Sequence, residues 1–134
     1  MTQQPPKTIR VVAAVVERDG RYLITQRRPN AVLPLLWEFP GGRVEPGETD
    51  QQALVREMKE RLDVDVETGQ LISFVSHVYE HYTVDLFLYE CILQGEELRC
   101  RAVNGYRWVT SGEFDRYPFT PADEASMNQL LGEP

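Results

Sequence analysis

Apolar and polar positions alternate along most of this chain, and in one stretch they recur at every third or fourth residue instead. Ile9 to Val16 is rich in β-branched residues, Asp19-Gly20 is a tight-turn dipeptide, and Arg21 to Gln26 returns, which predicts a hairpin of two strands. Trp37-Glu38-Phe39 predicts a short strand that turns both aromatics to one face and Glu38 to the other. Leu71 to Tyr79 and Thr83 to Leu93 predict two longer strands, antiparallel across the link Glu80-His81-Tyr82. Leu98 to Cys100 and Gly105 to Val109 predict two more, and Ser111 to Phe114 a short polar turn. A last helix starts with Thr120 as its cap and Pro121 as its first residue. Met1 to Lys7 is polar and proline-rich and reads as a flexible lead-in, which leaves residues 8–134 as a single domain.

The change of period predicts a helix over Asp50 to Leu62. Leu54, Met58 and Leu62 stand four apart, with Ala53 and Val55 widening the apolar stripe. Thr49 and Gln52 have the spacing of a capping box. Two turns lead in: Pro40-Gly41-Gly42, where missing side chains let backbone approach a ligand closely, and Glu45-Pro46-Gly47-Glu48. Arg56, Glu57, Glu60 and Arg61 occupy the opposite side, with Glu57 and Glu60 on one flank. Arg56 is the i,i+4 neighbour of Glu60, and Arg61 that of Glu57. Two carboxylates beside a glycine turn suit a hard cation such as Mg²⁺, although taken alone the same pattern describes a solvated face laced with ion pairs.

Composition narrows the field. A chain of 134 residues can bury one core. A net charge of -7 argues against affinity for a nucleic-acid polymer, which needs clustered lysine and arginine. Cys91 and Cys100 lack metal-ligand spacing and read as a reduced pair. His77 and His81, four apart in a strand and a turn, do not share a face. Val11 to Val16 is too short for a membrane span or a signal core, so the expected location is the cytoplasm, with no membrane partner.

Gly42, five residues, Glu48, seven residues, Arg56-Glu57-Met58, one residue, Glu60, then Val64 resembles the signature of Nudix hydrolases. The flanking VVAAVVERDGRYLITQRRP, LWEFPGG and YPFTPADEASMNQLL are similar to the MutT-like branch, so the likeness spans nearly the whole chain. It implies an α+β fold, an α/β/α sandwich with a central mixed sheet. It further implies a Mg²⁺- or Mn²⁺-dependent pyrophosphohydrolase that splits nucleoside triphosphates into monophosphate and pyrophosphate. Within the branch it points to the CTP pyrophosphohydrolase and 8-oxo-dGTP diphosphatase type, working as a monomer or homodimer on a small nucleotide. Under the resemblance Glu57 is the general base and a metal ligand, Glu60 the principal metal ligand and the Gly41 carbonyl another. Arg56 orients Glu57 and Glu48 braces the loop. Arg27 and Arg43 hold phosphate, and Glu38 and Asp123 read the base.

Two positions depart from the family pattern. Arg61 stands where a second glutamate is usual, and Asp63 where the helix usually ends in glycine. Two unit charges about 6 Å apart at an effective dielectric near 20 interact by roughly 3 kcal/mol, so a guanidinium aimed at a divalent ion opposes it strongly. An active enzyme of the usual kind therefore needs Arg61 turned to Glu57 or to solvent. The segment Arg101-Ala102-Val103-Asn104, which supplies another carboxylate in some relatives, offers none here. The alternative is a nucleotide-binding module that keeps the fold and has lost efficient hydrolysis.

Overall fold

The computed structural model describes residues 7–130. Strands β1 (Lys7–Val15), β2 (Glu17–Arg18), β3 (Arg21–Gln26), β4 (Trp37–Glu38) and β5 (Gly41–Arg43) precede helix α1 (Asp50–Leu62). Strands β6 (Val66–Val78), β7 (Tyr82–Leu93) and β8 (Gly105–Val109), a 3₁₀ turn at Ser111–Arg116 and helix α2 (Pro121–Leu130) complete it.

The larger sheet runs β5-β1-β7-β6 and is mixed: β1 lies parallel to β7, while β5 and β6 are antiparallel to their neighbours. In the smaller sheet β3 pairs antiparallel with β2, β4 and β8. Alternation along β1 and β7 gives the mixed sheet two buried faces. Val12, Ala14, Tyr89 and Cys91 meet Ala53, Leu54, Met58 and Leu62 of α1 on one side. Ala13, Val15, Leu86 and Leu88 meet Trp37, Phe39, Phe114, Phe119 and Met127 on the other. Leu54, Met58 and Leu62 are wholly buried, each contributing roughly 2 kcal/mol by leaving water. This is the α+β sandwich around a mixed sheet that the sequence implied.

Local chemistry fixes the bounds of α1. Thr49 Oγ1 accepts from the Gln52 amide at 3.1 Å, and Gln52 Oε1 accepts from the Thr49 amide at 2.9 Å. The helix stops at Asp63, whose φ of 54° is the left-handed conformation that glycine usually supplies. Lys59 and Arg101 pair with the Asp63 carboxylate there.

Several boundaries differ from expectation. Met1 to Pro6 lie outside the described residues, and Lys7, assigned to the lead-in, is already paired with Tyr82 as the first residue of β1. Val55 is exposed rather than part of the apolar stripe, because it lies a further 100° around the helix from Leu54. β6 starts at Val66, with register shifts near Gly69 where a Cβ would meet Glu90 at 2.7 Å. Leu98 to Cys100 form no strand. That segment turns its amides to the end of α1: Arg99 N donates to Leu62 O, and Arg101 N and Ala102 N to Arg61 O. Carbonyls at a helix C-terminus have no partner within the helix, and this segment supplies one.

Candidate active site

Arg56 is the hub of the first half of the site. Its Nε donates to Glu48 Oε2 at 2.7 Å and its Nη2 to Glu48 Oε1 at 2.8 Å, a two-pronged clamp. Nη2 also reaches the Arg43 carbonyl, while Nη1 bonds Glu57 Oε1 at 2.8 Å and Glu60 Oε2 at 3.3 Å. The Arg56 hydrogen bonds, followed by that from the Glu45 amide, hold the Glu48 carboxyl down at about 2. One guanidinium thus gathers Glu48, Glu57 and Glu60 and ties the turn before α1 to the helix.

Glu57 is not on the solvated side of α1. It is buried, on the edge of the apolar stripe, whereas Glu60 is exposed. Room for it comes from Gly42, where a Cβ would stand 2.2 Å from Glu57 Oε2. Gly41 is equally constrained on its other side, since a Cβ there would lie 2.0 Å from the Val12 carbonyl. Ala14 N donates to Pro40 O and Val44 N to Arg10 O. Hydrogen-bonded pairs alternate along an antiparallel ladder, so Gly41, opposite Ala13, directs its carbonyl away from β1 at the sheet edge.

Arg61 turns to Glu57, one of the two directions expected of it, and its Nε donates to Glu57 Oε2 at 2.6 Å. Both oxygens of Glu57 are therefore held by guanidinium groups. Arg61 does not leave the site, however. It lines a small cleft with Arg27, Arg28 and Ala102, and its charge reaches Glu38.

The second half of the site is a cleft of about 310 Å³ between the two sheets, the size of a small-ligand pocket. Arg27, Glu38, Arg43 and Asp123 all line it. Arg27 Nη1 bonds Glu38 Oε1 at 3.0 Å, and Arg27 Nε bonds the Val32 carbonyl. Trp37 and Phe39 are buried, as the alternation required, and Glu38 faces the cleft. Asp123 is buried at the start of α2, where its Oδ1 accepts from the Phe39 amide at 2.9 Å and its Oδ2 from the Thr120 hydroxyl. Burial first, and then the Glu38 charge, push the Asp123 carboxyl up to about 7. Burial likewise raises Glu38, with Arg27 opposing it.

The oxygen donors of Glu57 and Glu60 and the outward Gly41 carbonyl suit a hard divalent cation, and Gly42 leaves space for the Glu57 carboxylate. Among the described residues no three acidic, histidine or cysteine side chains cluster as a ready-made cation site. The group fits on the condition that Arg61 gives up Glu57 Oε2.

Sequence patterns did not single out Tyr79, Tyr82, Leu33 or Asp50. Tyr79 and Tyr82 bracket the β6–β7 turn and line the cleft with rings stacked 5.1 Å apart. The signal was visible in the aromatics at both ends of Tyr79-Glu80-His81-Tyr82. Leu33, with φ 56°, also lines the cleft from the loop after β3, a strained backbone position of the kind found beside binding sites. Asp50 is buried and paired with Arg10 through two bonds of 2.8 and 2.7 Å, with the Tyr89 hydroxyl donating to Oδ2. The Arg10 hydrogen bonds hold its carboxyl below the ordinary aspartate value, and burial pushes the Tyr89 hydroxyl up to about 12. Cys91 is buried, Cys100 is exposed, and both are free thiols.

The model of the NUDIX domain matches residues 11–129, and the chain belongs to that family. It is 35% identical over 117 residues to the CTP pyrophosphohydrolase of Escherichia coli, covering 87% of each chain. It is 31% identical over 131 residues to the 8-oxo-dGTP diphosphatase of Haemophilus influenzae, covering 95% of this chain and 94% of that one. A solution structure of the E. coli ORF135 protein superposes with a TM-score of 0.80 at 32% identity, covering 95% of this chain and 91% of the other.

Proposed function

We propose that this Nudix hydrolase is a divalent-metal-dependent nucleoside triphosphate pyrophosphohydrolase that releases nucleoside monophosphate and pyrophosphate, with cytidine or oxidised purine nucleotides as its substrates. The observation that carries the reading is the Arg56 network, which joins the Glu57 and Glu60 carboxylates, with Glu57 against Gly42 and its charge felt at Glu38 in the cleft. The names of the relatives favour hydrolysis over a module that has kept only the fold.

Glu57, Glu60 and the Gly41 carbonyl would hold the cation, which when bound neutralises a phosphate chain and lowers the pKa of water. Glu57 is the general base that takes the proton from the attacking water, and Arg56, fixed in turn by Glu48, sets the direction of its carboxylate. Arg27 and Arg43, which both line the cleft, hold the phosphates. Glu38 and Asp123 meet the base: with a carboxyl near 7, Asp123 can offer either a proton or a lone pair, and Glu38 accepts from an exocyclic amine. The stacked Tyr79 and Tyr82 give an apolar wall against which a base can lie.

Pyrophosphate release from CTP, dCTP and 8-oxo-dGTP with Mg²⁺ or Mn²⁺ tests this. Turnover is expected with at least one of them, and Glu57→Gln should lower kcat by about 10²-fold or more with the fold intact. A wild type that hydrolyses none of the three would overturn the assignment.

A further inference from the structure

Beside the nucleotide cleft lies a second, smaller one of about 120 Å³, lined by Arg27, Arg28, Asn30, Ala31, Arg61 and Ala102. No carboxylate lines it, in a chain whose net charge is -7. Among the described residues Arg28 has no acidic partner; its Nη2 donates to the Arg101 carbonyl. The single side-chain bond of Arg61 among those residues is from Nε to Glu57, which leaves its terminal nitrogens free to donate. Arg27 lines both clefts, so the two adjoin at its side chain.

Arg27 is paired with Glu38 and Arg61 with Glu57, while Arg28 has no carboxylate, and each of the three guanidinium groups has further N–H donors of the kind that match phosphate oxygens. The volume is too small for a nucleoside, for which pockets run from roughly 300 Å³ upward, and suits a compact anion. The cleft wall is firm, because the amides of Arg101 and Ala102 are bonded to the Arg61 carbonyl.

We propose that Arg28 and Arg61, with Arg27 and Asn30, form an anion subsite that holds the terminal phosphates of a nucleoside polyphosphate and binds pyrophosphate without any metal. The link to a nucleotide rests on the function proposed above; binding of pyrophosphate alone does not. Arg61 then serves two partners through different nitrogens: Nε stays on the Glu57 carboxylate, and the terminal nitrogens meet a phosphate oxygen.

The test is calorimetric titration of the full chain in EDTA with pyrophosphate, CTP and CMP. Wild type should bind pyrophosphate, with an affinity that falls as salt rises. Arg28→Gln and Arg61→Gln should each weaken pyrophosphate and CTP by about tenfold and leave CMP unchanged, while Arg61→Lys retains part of the affinity. Arg28 is exposed and away from the core, so its variant keeps the fold whatever happens at Glu57. Absence of pyrophosphate binding by wild type, or equal binding by wild type and Arg28→Gln, sinks the subsite. Equal loss of CMP and CTP in the variants also counts against it, since it would place these arginines at the nucleoside end. Pyrophosphate binding that depends on Arg28 and Arg61 in a protein that turns over no nucleotide would sustain the subsite and remove the hydrolase.

Discussion

Arg61 Nε lies 2.6 Å from Glu57 Oε2, so a permanent positive charge rests on the carboxylate to which the proposed function assigns the cation. Arg61→Glu removes that competitor and adds an oxygen donor. It should tighten Mn²⁺ binding by about tenfold or more, read by electron paramagnetic resonance of the free ion, and weaken pyrophosphate binding in EDTA. Unchanged Mn²⁺ affinity would mean that Arg61 does not contest the site.

Gly42 gives way to Glu57, and a methyl group there would stand 2.2 Å from the carboxylate oxygen. Gly42→Ala should leave the circular dichroism spectrum intact and lower kcat by about 10²-fold, the scale on which an ångström of misplacement acts. Activity equal to wild type would show that Glu57 works from another position.

Asp123 carries its proton up to about 7 when folded, against 3.8 ordinarily. The folded state therefore holds more protons between these values, and stability present in acid is lost as pH rises toward 7. Asp123→Asn keeps the oxygen that accepts from Phe39 and avoids burying a charge. It should melt about 3–6 °C above wild type at pH 8 and level with it at pH 4. A difference independent of pH would point to packing instead.

Asp50 has the opposite sign. Its carboxyl is lowered by Arg10, so its contribution is complete near neutrality and disappears as acid protonates it. Arg10 is half exposed, which limits the pair, and Asp50→Asn should cost about 2 kcal/mol in urea unfolding at pH 7. Tyr89→Phe should cost less, because the arginine clamp survives.

What was legible in the sequence was local. The limits of α1 followed from the Thr49 and Gln52 spacing and the recurrence of Leu54, Met58 and Leu62, all within one segment. The grouping of Glu48, Arg56, Glu57 and Glu60 came with that segment, as did the choice of Arg61 between Glu57 and solvent. Long-range partners were not legible. Asp50 meets Arg10 across 40 residues, and nothing in either neighbourhood announces the other. Glu57 was expected beside the glycine turn, where the fold puts it, but its burial was not legible, because its sequence neighbours are charged. Leu98 to Cys100 has a strand's alternation and loses it to the carbonyls of α1, a competition that only the tertiary structure decides.

That last arrangement works as a splint. Because Arg99, Arg101 and Ala102 each grip a carbonyl of the final turn of α1, the passage from β7 to β8 is of fixed length just where it passes Arg61. Inserting one residue between Arg99 and Ala102 would put that grip out of step and swing the arginine wall with it. The stretch at Glu96 and Glu97, which is exposed, can absorb an insertion without the helix registering it.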